Sequence, residues 1–527
     1  MDEVEDVGSY DAIVIGSGMA GLMAGTALAQ KGHRVLMLEK HVIPGGYTTN
    51  FERKGFRFEA SNHVINGCEP GGMTYEQLAK IGAQDRVEFI KLDSFGRVID
   101  ETRGTDCERP WAVAEHVETL LRLFPREERG IRAYYEKYEA MATALLGSFR
   151  GGEQDPETLG KIAGAAQEFM ALKNKKAKDV LAEYVSDPEL IRWMTGISSG
   201  FLGTSFEEVD AAMLVMCDMV FRVNGGDAYY PRGGSGQLSR VVADHFQEHG
   251  GRLLLRRDVT EIAFSNGRAT GVIAKQSKGR TISAQARCIV YASDLTALVN
   301  RLCPQGTFPV DYVNSVNRRV PGISAVILFL GLDIDLRERG ITETKIMRIW
   351  GDVRSQTLFE EVGRSGDYSR LPFATATIYS NIDPSCCPEG KSIVTTMVLA
   401  EPERFEQALD PGRKRGRAYQ ELKKHLTAQL LEKIVRALGI ADLERHIEIL
   451  ELATPVTLER YTANRGGAYA GWKYSPDQVQ DHFPQESPVE NLFLCGQWVA
   501  PGGGVSNVMV GGNKAAEIAD GYLRGSG

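Results

Sequence analysis

Three glycines, Gly16, Gly18 and Gly21, stand in G-x-G-x-x-G spacing between the apolar run Ala12 to Ile15 and a stretch of small residues, Ala20 to Gln30. In a strand, turn and helix, these glycines would serve a tight turn, a close backbone approach to a pyrophosphate and close helix packing. The free N–H groups at the helix start would face the phosphates with about +0.5 charge. A second strand, Val35 to Leu38, ends at Glu39, whose carboxylate is placed to accept hydrogen bonds from a ribose and disfavours a 2′-phosphate. The chemistry implied is dinucleotide binding, against the plainer alternative of a βαβ turn without a ligand.

Other residues with catalytic potential are sparse. His245 and His249 lie one helical turn apart, but Phe-Gln-Glu intervenes and no third ligand is evident, so no metal is expected. The eight cysteines (68, 107, 217, 288, 303, 386, 387 and 495) show no C-x-x-C spacing, which points to reduced thiols and a cytoplasmic setting. A net charge of −8 argues against nucleic-acid binding. The acidic N-terminal stretch does not read as a signal peptide, and the longest apolar run, near 323 to 330, is too short to span a bilayer. Peripheral contact with a membrane surface is compatible with both observations.

At 527 residues the chain exceeds one compact core. The α/β pattern of the first 40 residues gives way at about 111–221 to helical periodicity, including DAAMLVMCDMVF, whose methionines suit either an irregular core or an adaptable apolar cavity. A helix at Leu238 to His249, a strand at Arg252 to Leu255 and a ladder from Asp258 resume the first architecture. ISAVILFLGL, FATATIYS and KSIVTTMVLA then read as an antiparallel sheet. The expected fold is Rossmann-like α/β, with segments 1–95, 225–310 and 485–527 forming a discontinuous dinucleotide domain. Segments 96–224 and 311–484 would form an interleaved α+β substrate domain.

Pro44-Gly45-Gly46 directly follows the second strand, and Gly55-Phe56-Arg57-Phe58-Glu59 continues it. This resembles the FAD-binding amine oxidase and phytoene desaturase superfamily. Three segments, 43–68, 229–239 and 454–472, together with Gly496-Gln497-Trp498 and Pro501 to Val505, are similar to its phytoene desaturase, carotenoid isomerase and retinol saturase branch. The resemblance implies FAD held by Gly16, Gly18, Met19, Ala20, Gly21, Glu39, Lys40, Gly45, Gly46, Val259, Gly496, Gln497, Gly504 and Val505. Gln497 departs from the Gly-[DE] pair of the superfamily and supplies no charge. The superfamily also places the strand before Gly496 beside the first strand.

That branch acts on long polyene or isoprenoid hydrocarbons, which offer a protein chiefly apolar area to bury, at about 0.8 kcal/mol per CH₂. The resemblance therefore implies desaturation, saturation or isomerisation of carbon–carbon double bonds. Tyr461, Tyr469, Trp472 and Trp498 are the expected aromatic substrate contacts, with ordinary packing as the alternative for each. His63, just after the G-F-x-F-E strand, resembles the histidine of the retinol saturase arm and is the expected proton carrier, with a structural histidine as the alternative. No second G-x-G-x-x-G follows a strand, so electrons would come from or go to an outside partner of unknown identity. A flavin amine oxidase and a non-catalytic prenyl-lipid carrier, like the Rab GDP-dissociation inhibitors, are the competing readings.

Overall fold

The structure is a computed structural model that describes all residues except 1–3, 62–63, 149–154, 203–208, 224–225, 277–278, 354–355, 476–477, 479–481 and 526–527. Two seven-stranded sheets organise it. The first runs in the order Arg257–Ser265, Arg268–Gln276, Thr281–Tyr291, Val4–Ile15, Val35–Leu38 and Arg252–Leu254, with Leu492–Leu494 also paired to Thr281–Tyr291. Its parallel part comprises the last four of these strands and Leu492–Leu494.

Successive residues of a strand point to opposite faces, and the first strand divides its side chains accordingly. Ala12 and Val14 join a core with the helices Met19–Gln30, Ser235–Glu248 and Val505–Gly525. Ile13 and Ile15 join a second core with Val259, Ile262, Leu295 and Leu298. The helices Met19–Gln30 and Val505–Gly525 meet closely: a Cβ on Gly512 would lie 2.4 Å from the Ala20 carbonyl oxygen.

The second sheet has the order Ile447–Ala453, Ser324–Leu332, Ser392–Ala400, Phe373–Ile378, Lys345–Ile349, Ser94–Asp100 and Thr105–Pro110. It is mixed rather than wholly antiparallel, because Lys345–Ile349 pairs in parallel with Ser94–Asp100. One face packs on the helix Arg417–Leu438. The other carries Ala325, Ile327, Phe329 and Ile393 against Phe56 and Phe58 of the hairpin Asn50–Arg53 and Phe56–Glu59. The helices Val113–Leu123, Glu128–Gly147, Ala177–Ala182 and Ala211–Met219 contribute to a further core.

Two sequence expectations change in detail. Leu492–Leu494 stands beside Thr281–Tyr291, which separates it from the first strand. The terminal helix begins at Val505 rather than near Val510, so its first turn follows Gly504 directly. No helix among the described residues is long and apolar enough to cross a membrane.

Candidate active site

The loops that leave the parallel strands converge. Gly16 to Gly18 follow Ile15, Glu39 and Lys40 follow Leu38, Ala292 and Ser293 follow Tyr291, and Gly496 follows the strand ending at Leu494. Backbone bonds tie these ends together: Gly16 N–H donates to the Leu38 carbonyl, Ala292 N–H to Ile15, and Cys495 N–H to Tyr291, each at 2.9 Å. Ligands of open α/β sheets sit at this edge. Here it borders a cavity of about 400 Å³ lined by Gly16, Gly18, Met19, Ala20, Glu39, Lys40, Gly45, Gly46, Val259, Gly496, Gln497, Gly504 and Val505.

Each glycine of the first turn meets a different environment. Gly16 has φ +97° and packs under Ala292, while a Cβ on Gly21 would lie 2.1 Å from the Gly16 carbonyl oxygen. Gly21 is therefore a packing residue behind the cavity rather than part of its wall. A Cβ on Gly18 would meet no atom within 4 Å, so this backbone borders open space. Gly18 bridges to Gly45, whose N–H donates to the Ser17 carbonyl at 2.8 Å, and the second glycine turn is thereby laid on the first.

The helix Met19–Gln30 has neither a side-chain cap nor an acid in its first turn, which leaves its orphan donors available to an anion. The helix Ser235–Glu248 offers a contrast, because Glu59 Oε1 accepts from Ser235 N–H and Asn50 Oδ1 from Gly236 N–H. Glu39 Oε2 accepts from Ser17 N–H and Oγ–H, both at 2.8 Å, and its Oε1 accepts from His41 N–H at 2.7 Å. A carboxylate has about four lone-pair sites, so roughly one remains for a ribose hydroxyl. Gln497 turns its amide away, donating to the Ala468 carbonyl at 2.8 Å.

The far wall of the cavity is apolar. Met213, Met216, Cys217, Val220 and Phe221 from the helical segment face Val64, Met73, Met397, Tyr469, Ala470 and Tyr474. The methionine-rich helix thus serves both of its anticipated uses: Met213 and Met216 line the cavity, and Met219 is fully buried in the core.

The four aromatic residues expected to touch substrate do not form one group. Tyr469 lines the cavity, and its hydroxyl is buried without a hydrogen-bond partner. Tyr461 also lines it but is 45% exposed and packs edge-on against His41, 4.9 Å between centroids, beside Glu39. Trp498 contributes to the wall with its Nε1–H donated to Asn464 Oδ1 at 2.8 Å. Trp472 is absent from the wall. It is buried behind Trp498, donating Nε1–H to the Trp498 carbonyl at 2.9 Å, because a buried indole N–H needs an acceptor. His63 lies outside the described residues, between Ser61 and Val64, which both line the cavity.

Several wall residues carried no sequence signal. Tyr47 donates its hydroxyl to the Gly467 carbonyl at 2.9 Å, tying the second glycine turn to the 464–472 loop. Ser506 Oγ–H donates to Asn66 Oδ1 at 2.9 Å and shares a 2.8 Å hydrogen bond with Thr74 Oγ1 at the start of the terminal helix. Arg301 also lines the cavity without a motif to mark it, and Asn464 lines it from within the 454–472 segment.

A doubly wound sheet with glycine turns at its strand ends, an uncapped helix start beside a buried acid and an apolar antechamber is the architecture of a flavin-dependent oxidoreductase. The open space at Gly18 and the orphaned Tyr469 hydroxyl fit a bound FAD. The chain belongs to the flavin containing amine oxidoreductase family, whose pattern matches residues 19–519. It is 26% identical over 539 residues to prolycopene isomerase 2 of an Oncidium hybrid cultivar, covering 98% of this chain and 85% of that one. It is 25% identical over 511 residues to all-trans-retinol 13,14-reductase of Rattus norvegicus, covering 92% and 82%. Phytoene dehydrogenase of Streptomyces griseus is 27% identical over 538 residues, covering 96% and 94%. Among solved structures, putrescine oxidase bound to putrescine shares the fold, with a TM-score of 0.62, 14% identity, and coverage of 97% of this chain and 99% of that one.

Proposed function

We propose that this oxidoreductase acts on carbon–carbon double bonds of a polyene or isoprenoid lipid of carotenoid or retinoid type. The observation that carries the reading is the continuity of the dinucleotide-lined half of the cavity with a methionine-rich apolar half. The names of the three relatives, an isomerase, a reductase and a dehydrogenase of such lipids, support it. Among the described wall residues the acids are Glu39 and Asp258, both in the dinucleotide half. Among the described residues the apolar half offers no carboxylate to an alkylammonium, which favours a polyene over an amine.

FAD, when bound, supplies the exchange of a hydride with the substrate carbon. Gly16, Gly18, Gly45 and the start of Met19–Gln30 would hold its pyrophosphate, Glu39 a ribose, and Gly504 with Val505 the ring end. The Val505–Gly525 helix start would stabilise negative charge there. Met213, Met216, Val220, Phe221 and Met397 would hold the hydrocarbon and exclude water, their flexible thioethers adapting to a bent or straight chain. His63 would give or take the proton that accompanies saturation or desaturation. A peripheral membrane contact, through which a lipid enters, belongs to the same proposal.

The test is anaerobic incubation with carotenoids, retinoids and polyprenols, using oxidised and, separately, chemically reduced flavin. Gain of two hydrogens with reduced flavin identifies a saturase, unchanged mass an isomerase, and loss of two hydrogens with oxidised flavin a desaturase. Flavin reduction by amines, with every lipid left unchanged, overturns the proposal.

A further inference from the structure

A second, smaller cavity of about 20 Å³ adjoins the apolar half of the first, and Val64 lines both. Phe221 of the main cavity packs on Trp111 of the small one, with ring centroids 5.3 Å apart. A water needs roughly 10–15 Å³ of such space, so the small chamber fits one or two oxygen-sized groups. Its lining combines Val64, Leu92, Phe95, Trp111 and Ile382 with the polar Ser94, Thr344, Lys345 and Thr377.

The register of the second sheet explains how two of these polar residues come together. Lys345 is the cross-strand partner of Thr377, and Thr377 of Thr395. Directly paired residues share a sheet face, and so do residues two apart on one strand, which puts Met397 on the face of Thr395. The row Lys345, Thr377, Thr395 therefore leads from the strand that supplies Met397 to the main cavity toward the small chamber.

Open donors gather at the same place. The Lys345 ammonium lies 4.1 Å from the centroid of the Phe95 ring, and among the described residues no carboxylate pairs with it. Desolvation pushes it down to about 8. Among the described residues Trp111 Nε1, in the chamber wall, has no hydrogen-bond partner, and neither has Thr395 Oγ1, one strand beyond Thr377. A half-buried ammonium without a carboxylate and an unanswered indole N–H are both costly, and a small anion with two acceptor oxygens relieves both costs.

We propose that Lys345, with Thr377 and Trp111, forms an end-group site for the terminal carboxylate of a polyene or isoprenoid substrate whose hydrocarbon lies in the main cavity. Anchoring that end fixes how far the chain reaches toward Gly504 and Val505, and so which double bond is presented there. The inference rests on the polyene reading.

Equilibrium dialysis of the flavin-loaded protein against all-trans-retinoic acid and all-trans-retinol tests it, since the two probes differ only at the end group. The parent should bind the acid at least about tenfold more tightly than the alcohol, the worth of a charge-assisted hydrogen bond. Lys345→Met should erase that preference while retinol affinity and flavin content stay within about twofold; Lys345→Arg should keep it. Equal affinity of the parent for both probes, or a preference that survives Lys345→Met, overturns the end-group site alone. Binding of neither probe by the flavin-loaded parent overturns the polyene reading and this site together. Should Lys345→Met fail to hold flavin, the parent's preference together with Lys345→Arg decides.

Discussion

Gly18 and Gly21 share one motif but would fail in different ways when substituted. A side chain at Gly18 enters open space, so Gly18→Val should fold with a near-parental unfolding midpoint yet lose bound flavin, read as absorbance per protein. At Gly21 the added carbon meets the Gly16 carbonyl oxygen, so Gly21→Val should lose stability as well, by about 1–3 kcal/mol or more. Stoichiometric flavin in Gly18→Val would remove the pyrophosphate role from that position. If His63 carries the proton, His63→Ala should retain FAD while turnover falls about 10²-fold or more; activity within a few-fold of the parent takes it out of the mechanism. The glycine turns were readable in sequence because a backbone that must lie close to a ligand or a helix accepts few residue types. Trp472 lies behind the cavity wall while Tyr461, Tyr469 and Trp498 border it, a distinction the sequence does not carry because aromatic rings are equally at home in a cavity, a core or a half-exposed stack.

The cavity's apolar wall depends on how the helix Ala211–Met219 is anchored. Just beyond its end Arg222, fully buried, donates Nε–H to Asp218 Oδ1 at 2.8 Å and Nη1–H to the Pro110 carbonyl at 2.9 Å. Arg109 is buried nearby, with desolvation and the Arg222 charge pushing it down to about 10. Removing one partner of a buried pair leaves an uncompensated charge. Asp218→Asn should therefore cost about 3–5 kcal/mol in denaturant unfolding, and an unchanged midpoint would show that Arg222 finds another acceptor. The strands Ser94–Asp100 and Thr105–Pro110, which this cluster adjoins, went unseen in the sequence. Their inward positions are Gly96, Val98 and Asp100 on one and Cys107 and Arg109 on the other, so the alternation of burial carried almost no alternation of hydrophobicity. Ser324–Leu332 was visible for the opposite reason, since all nine residues are buried and nearly all are apolar.

At the scale of the molecule, the two sheets are joined by a hairpin whose last residue, Glu59, is buried against the helix Ser235–Glu248. Burial outweighs its hydrogen bonds from Ser235 and Asn50 and pushes the carboxyl up to about 7. An acid raised in the folded state favours the protonated form, so its contribution is fully present below about pH 4.5 and is lost as pH rises through 7. Glu59→Gln removes that dependence, and its stability relative to the parent should rise by about 3 kcal/mol between pH 4.5 and 8. A constant difference in chemical unfolding across that range would show that Glu59 titrates as an ordinary carboxylate. The presence of two architectures was legible from the switch in periodicity. The strand order was not, because a short apolar run such as Leu492–Leu494 contains nothing that selects its neighbour.

The first sheet draws strands from residues 4–38, 252–291 and 492–494, and the turn carrying Gly504 and Val505 follows the last of them. During synthesis the opening glycine turn therefore leaves the ribosome hundreds of residues ahead of its counterpart across the cavity. The face of Val4–Ile15 that carries Ala12 and Val14 gains the last of its three helices, Val505–Gly525, only at the end of the chain. The cavity wall is therefore closed only when the chain has passed residue 505.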